Sequence, residues 1–402
     1  MRSLRSLIDS LRVYLMKPVF GLVLTGGGAR AAYQSGVLDG ISEILGEYHQ
    51  ALPFKVLTGV SAGSINAAFL ASHAHDFSLA TQKAANLWIR LTHDSIMTTD
   101  AASLSVMAGN WIRNLSLGGF YKGPRISHVI DTDPLLNLLK TYINFKQIKH
   151  NLDSQILTAV AFTATNYQTG TAVTFYEGDL KIEDWSRSSR ISKRTSLGLH
   201  HILASAAIPL LFKPVKIDPF YFGDGSIRLL TPLSPAIHLG ADKILAIGIR
   251  KIKSSAYTQK LNLDKESGEI TIADIAGELL NAIFMDTLEA DIERVKRINN
   301  SIAMSADCKK VDVEEPSLRP IDLLVIEPSQ DLSELAAQYY PKLPFMFRHL
   351  LRGIGASQER GQDLLSYLAF DTSYTKPLVE LGRKDAYSHK DEIENFFIQR
   401  TS

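Results

Sequence analysis

The sequence predicts an α/β fold with a mainly parallel sheet and a helical C-terminal extension, on three observations. Twice near the start an apolar run meets a glycine-containing turn and then an apolar, breaker-free segment. These pairs are Val19 to Leu24 before Ala31 to Leu45, and Phe54 to Leu57 before Ile65 to Ala71. Further apolar runs at Leu157 to Ala164, Ala172 to Tyr176, Lys243 to Ile249 and Ile321 to Ile326 alternate with helical patterns. From Phe345 onward the pattern is helical, with a break near Asp371 to Pro377. Short apolar runs read as strands buried on both faces, and strands alternating with helices read as βαβ units.

Composition bounds the rest. The chain is 45% hydrophobic and 21% charged over 402 residues, enough for a large core in one large domain or two of usual size. Net charge is +1, so bulk electrostatics give no argument for a nucleic-acid partner. The single cysteine, Cys308, excludes an intramolecular disulfide framework and a multi-cysteine metal site, and fits a reducing compartment. No apolar run approaches the roughly 20 residues of a membrane span.

Residues 1–17 begin with Arg2 and Arg5, as a signal peptide would, but Asp9, Arg12 and Lys17 interrupt the apolar stretch. Leu4, Leu7, Ile8, Leu11 and Leu15 share a helical face, so an amphipathic helix is expected. It packs on the domain or lies on an anionic membrane surface. The expected location is the cytoplasm with peripheral membrane contact; secretion without a cleavable signal is also compatible with the sequence.

The first apolar run leads into Thr25-Gly26-Gly27-Gly28-Ala29-Arg30. A glycine-rich turn between strand and helix makes a nest of N–H groups that binds anions. Gly26-x-Gly28-x-x-Ala31 formally satisfies a dinucleotide fingerprint, which wants an acidic residue ending the second strand; Thr58-Gly59-Val60-Ser61 stands there. A phosphate-binding P-loop needs lysine after its glycines, and this turn has Gly28-Ala29-Arg30. The third reading is an oxyanion hole formed by the Gly27 and Gly28 amides. Arg30 would then steady the loop or attract an anionic head group.

The second turn, Gly59-Val60-Ser61-Ala62-Gly63, is a G-x-S-x-G sequence between a strand and a helix, the context of a nucleophile elbow. Gly59 and Gly63 leave room for close backbone approach, and Ser61 sits at a helix N-terminus, where an anion is favoured.

Further elements follow in order. Leu79 to Leu91 is a helix. Residues 92–127 are irregular but rich in apolar side chains, and are expected to form a lid or acyl-chain surface. Asp133-Pro134 caps a helix through Tyr142. Asn166 to Gly170 is a turn between strands, and Gly198 to Ile208 a helix ended by Pro209. Phe220 to Phe222 is a short buried strand before Gly223-Asp224-Gly225-Ser226, so that Asp224 can point back at the site. Leu233 to Leu239 is a helix, Lys251 to Ile270 a surface loop, and Ile272 to Ile298 one long helix with Glu289, Asp291, Glu293, Arg294, Lys296 and Arg297 outward.

Three stretches stand together: Gly26-Gly27-Gly28-Ala29-Arg30, Gly59-Val60-Ser61-Ala62-Gly63 and Asp224-Gly225-Ser226. This constellation resembles the patatin-like phospholipase family, bacterial members included. Ala204 to Pro209 is similar to the family's stretch upstream of its aspartate. The resemblance covers roughly residues 18–250, the expected catalytic domain, with residues 251–402 as the C-terminal part. It implies a three-layer α/β/α fold and hydrolysis of membrane-phospholipid acyl esters by a serine–aspartate dyad, with no metal or cofactor. Carried over by position, Ser61 is the nucleophile, Asp224 the base and residues 26–30 the oxyanion loop. Ser226 replaces the commoner glycine of the third motif.

The residues point the same way. A serine needs a proton acceptor to attack an ester, and a partly desolvated carboxylate has a raised pKa matched to that task. The rival is a Ser-acid-His triad, for which His238, His349 and His389 have the right order along the chain. None of them follows a strand directly. Two non-hydrolase readings are a silent lipid-binding scaffold, which would show no serine labelling by a fluorophosphonate, and a nucleotide binder, which would bind NAD.

Overall fold

The computed structural model describes residues 18–46, 50–98, 109, 130–251, 270–284, 286–305, 318–343, 345–353, 355–358 and 360–398. The expected N-terminal helix, most of the 92–127 segment and nearly all of the 251–270 loop lie outside them.

Ten strands form one sheet among these residues. They are β1 (Phe20–Leu24), β2 (Val56–Val60), β3 (Ala159–Asn166), β4 (Thr171–Gly178), β5 (Ser186–Arg187), β6 (Arg190–Arg194), β7 (Val215–Ile217), β8 (Phe220–Asp224), β9 (Lys243–Ile247) and β10 (Asp322–Ile326). The order is β10-β9-β1-β2-β3-β4-β6-β5, with β8 on β3 and β7 on β8. The stretch from β10 to β3 is parallel throughout. Antiparallel pairing begins at β3–β4, through the tight Asn166 to Gly170 turn, whose Asn166 carboxamide accepts the Gln168 and Thr169 N–H groups.

The first helices are α1 (Ala32–Leu45), α2 (Ala62–Ser72), α3 (Phe77–Arg90), α4 (His93–Ile96), α5 (Asp133–Tyr142), α6 (Phe145–Asp153), α7 (Leu199–Ser205) and α8 (Ser234–His238). The C-terminal region adds α9 (Ile272–Phe284), α10 (Asp286–Ser305), α11 (Leu332–Ala337), α12 (Phe345–Gly353), α13 (Gln362–Leu368), α14 (Thr372–Ser388) and α15 (Lys390–Phe397).

Strand alternation sends side chains to two cores. Leu22, Leu24, Leu57, Phe162, Leu245 and Ile247 join the larger one, with α1, α2, α3 and α14. Val23, Val56, Ala161, Ile244 and Ala246 join the other, with α8 and α10. Both faces of the sheet are thus covered, which is why its strands read as apolar runs and not as alternating ones. Helix α14 lies against α1 by close backbone approach: a Cβ on Gly36 would fall 2.1 Å from the Val379 carbonyl oxygen, and one on Gly382 2.3 Å from that of Tyr33. Strand β10 pairs with β9 in the same sheet.

Several elements differ from expectation. Strand β8 runs two residues further than expected, and Phe220 and Tyr221 are exposed while Phe222 to Asp224 are buried. The helix expected to end at Ile298 reaches Ser305, where α10 ends. Asp291 is buried, not outward, and its carboxylate accepts the Leu233 N–H at 2.9 Å. Helix α7 stops at Ser205, short of Ile208. Pro377 does not break the C-terminal helix; it lies inside α14. The break falls before it, where Asp371 caps α14 by accepting the Ser373 N–H. The Thr375 N–H already bonds the Asp371 carbonyl, so Pro377 lies past the unpaired first turn and leaves the Ser373 carbonyl without its intrahelical donor, yet α14 continues through it.

Candidate active site

Strand β3 brings the two distant motifs together. Its whole length pairs with β4 on one edge. Its other edge is shared end to end: β2 covers Ala159 to Thr163, and β8 covers Ala164 to Asn166. Because β2 is parallel to β3 and β8 antiparallel, their carboxyl ends meet. Val60 pairs with Thr163 and Asp224 with Ala164, so Ser61 and Asp224 arrive at adjoining rungs. Gly225 is required there, since a Cβ would fall 2.0 Å from the Thr163 carbonyl oxygen and 2.8 Å from a Val60 methyl.

Ser61 makes the sharp turn into α2 at φ 54° and ψ −132°, a strained conformation for a residue with a side chain. Gly63 lets α2 abut the end of β1, because a Cβ would fall 2.2 Å from the Leu24 carbonyl oxygen. Gly59 leaves the same space under the first turn of α2, where a Cβ would be 2.4 Å from the Gly63 carbonyl oxygen.

Asp224 is completely buried. Its Oδ1 accepts the Ser226 N–H at 2.9 Å, while Oδ2 has no hydrogen-bond partner among the described residues. Burial pushes its carboxyl up to about 7, opposed by the facing Ser61 hydroxyl and by the Ser226 amide and hydroxyl. Tyr167, on the β3–β4 turn, reaches over Gly223, where a Cβ would fall 2.0 Å from its hydroxyl. Burial and the Asp224 charge push that phenol up to about 12. The arrangement therefore offers one open carboxylate oxygen, poised near neutral pH, beside a hydroxyl.

The glycine loop sits across the end of β1. Gly28, at φ 56°, lines a cleft with Ser61. Gly26, Gly27 and Ala29 are buried beside it. The loop is held by a buried polar chain: Trp88 Nε1 donates to Asn66, Asn66 donates to Gln34 and the Ala31 carbonyl, and Gln34 donates to the Thr25 carbonyl. Arg30 does not face solvent or a head group. Its guanidinium is buried, donates to Ser366 at 2.7 Å and Asp363 at 2.9 Å, and lies over the Tyr367 ring. It steadies the loop by tying it to α13.

The cleft beside Ser61 is apolar, walled by Ile65, Leu87, Trp88, Leu135, Ile208 and Phe370 among others. Its volume is about 30 Å³, too small for an acyl chain as these side chains stand. A larger, open and charged cavity of about 1070 Å³ lies at the opposite ends of β2 and β3, near Lys55 and Thr158. It holds none of the motif residues.

The sequence profile of patatin-like phospholipases matches residues 22–237. The chain belongs to the patatin-like phospholipase family. Its region of family match ends within α8, so β9, β10 and α9 to α15 lie beyond it. Solved structures similar to this family member include VipD from Legionella pneumophila, at 12% identity and TM-score 0.31, covering 90% of this chain and 67% of that one. Human GIVD cytosolic phospholipase A2 with methyl gamma-linolenyl fluorophosphonate and terbium chloride is 13% identical, with TM-score 0.43, covering 95% and 59%. ExoU from Pseudomonas aeruginosa, in complex with SpcU, is 18% identical, with TM-score 0.20, covering 39% and 34%. The chain thus spans about two thirds of the first of these chains and less of the other two.

The histidines of the rival triad are engaged elsewhere. His238 stacks on Trp185 at 4.8 Å, His349 stacks on Phe345 at 6.2 Å, and His389 bonds the Asp385 carbonyl. No histidine among the described residues hydrogen-bonds Asp224 or Ser61. None of the described helices is long and apolar enough to cross a membrane. Sequence reading missed the Trp88-Asn66-Gln34 chain and the hydroxyl of Ser205, which accepts the Ser61 N–H. Only the Ala204 to Pro209 stretch gave a signal, and it named no role for the serine.

Proposed function

We propose that this protein is a serine lipid acyl hydrolase of phospholipase A or lysophospholipase type, with Ser61 as nucleophile and Asp224 as base. The observation that carries the reading is the abutment of β2 and β8 on one edge of β3, with Asp224 Oδ2 open beside Ser61. Ser61 Oγ attacks the ester carbonyl carbon as its proton passes to Asp224 Oδ2. The negative charge that develops on the carbonyl oxygen meets the amides of the Gly26–Gly28 turn. Collapse breaks the ester bond, and the departing alcohol takes the proton from Asp224. Water then attacks the acyl-serine carbonyl as Asp224 accepts its proton, and Asp224 returns that proton to Ser61 Oγ as the acyl–oxygen bond breaks and the fatty acid leaves. A carboxyl titrating near 7 suits both halves, since it accepts and returns a proton at neutral pH. The apolar cleft takes the acyl chain, and the ester is reached from a membrane surface on which the protein rests peripherally.

The test is fatty-acid release from phosphatidylcholine and lysophosphatidylcholine vesicles, read by mass spectrometry. Ser61→Ala and Asp224→Ala should each abolish release while the circular-dichroism spectrum persists. Substantial activity in either folded variant overturns the dyad.

A further inference from the structure

The end of β2 leaves its ladder one rung short. Val60 pairs with Thr163, but Ser61 then turns into α2. A parallel ladder carried one residue further would use the Ser61 N–H and the Thr163 carbonyl. The hydroxyl of Ser205 stands between them. It accepts the Ser61 N–H at 2.9 Å and donates to the Thr163 carbonyl at 2.7 Å. Ser205 is fully buried at the last position of α7. Two residues on, the Ala207 carbonyl accepts the Asp224 N–H at 2.9 Å. From β3, Thr165 Oγ1 donates to the Asp224 carbonyl at 2.8 Å. The Ser205–Ala207 segment is therefore bonded to the backbone of both Ser61 and Asp224.

We infer that Ser205 is a positioning residue for hydrolysis: its hydroxyl replaces the missing rung and holds the Ser61 turn at the spacing where Oγ meets Asp224. The inference rests on the reading of Ser61 and Asp224 as nucleophile and base. The single hydroxyl hydrogen of Ser205 is committed to Thr163, so it is not an oxyanion donor. The Ser61 amide is committed as well, so it is not an oxyanion donor either. Ala206 and Ile208, on either side of Ala207, wall the cleft. Whatever seats itself there presses on the segment that spaces the two reacting groups.

The test compares Ser205→Ala and Ser205→Cys with the wild-type full chain on p-nitrophenyl butyrate, per folded enzyme. Ser205→Ala should lower kcat about 10- to 100-fold, as a small misplacement does, with KM within twofold. The thiol of Ser205→Cys is a weaker donor and acceptor, so its kcat should fall between the two. The Ser61 hydroxyl opposes the rise of the Asp224 carboxyl. Loosening that contact should therefore move the rising limb of the kcat/KM profile to higher pH. A serine that only stabilised the fold would leave the limb in place. A kcat within twofold of wild type in folded Ser205→Ala, or an unmoved limb, overturns the inference. If Ser205→Ala does not fold, the limb of Ser205→Cys decides in the same way. Full activity in Ser61→Ala would instead remove the reading beneath.

Discussion

Asp224→Asn separates the cost of burying a carboxyl from its use in catalysis. In the folded protein the group titrates at about 7 instead of the ordinary 3.8, mainly because burial disfavours its charged form. Between those values the folded state holds a proton that the unfolded chain has released. The folded state then binds more protons, so stability falls as pH rises through that window. The contribution is fully present below the unfolded pKa and gone above the folded one. A gap of roughly three pH units, at about 1.4 kcal/mol each, is on the order of 4 kcal/mol. Asparagine cannot titrate, and its Oδ1 can still accept the Ser226 N–H. The variant should therefore gain on the wild type by on the order of 3 kcal/mol between pH 5 and pH 8. For a chain of 402 residues that is about 4 °C in relative Tm. Any constant effect of the new amide beside Ser61 cancels in the comparison. Thermal unfolding of both proteins at the two pH values is the assay. An equal Tm difference at both would refute the raised pKa, and a wild type that gains with pH would reverse its sign. The variant should release no fatty acid, whereas wild-type kcat/KM should climb through about pH 7.

Other perturbations test the frame around the site. Arg30→Lys keeps the charge but forfeits the fork that reaches Ser366 and Asp363 together. Asp363 is 39% exposed, so that pair counts for under about 1 kcal/mol. The buried Ser366 bond and the Tyr367 stack bring the loss to about 2 kcal/mol, read as a lower Tm and a fall in kcat larger than any change in KM. Gly63→Ala drives a Cβ to 2.2 Å from the Leu24 carbonyl oxygen; a loss of at least about 1–3 kcal/mol is expected, and an unchanged Tm would contradict the packing. Phe370→Leu should cost about 1 kcal/mol and move the optimum of a p-nitrophenyl ester series toward longer chains, because Phe370 walls the cleft.

The local devices were legible in the sequence because each is set by a few adjacent residues. A strand, a glycine turn and a helix specify the elbow at Ser61 wherever they occur, and an apolar run specifies a strand buried on both faces. The Asn166 carboxamide makes its own turn, and Asp371 its own cap. The same locality explains the misreadings. Pro377 reads locally as a break although α14 continues through it, and Asp291 is outward only until the Leu233 N–H claims it. Arg30 could reach a head group until α13, more than 300 residues away along the chain, offers Asp363 and Ser366.

By itself, then, the sequence marked the groups we propose for the chemistry: a serine at a strand-to-helix turn, an aspartate between glycines and a glycine-rich loop. Only the tertiary structure brought Ser61 and Asp224 to adjoining rungs of β3. That depends on β8 running antiparallel onto the edge of β3 that β2 vacates, with Ser205 bridging the gap. Strand order and register are chosen by burial on both faces of the whole sheet, so no short stretch of residues encodes them.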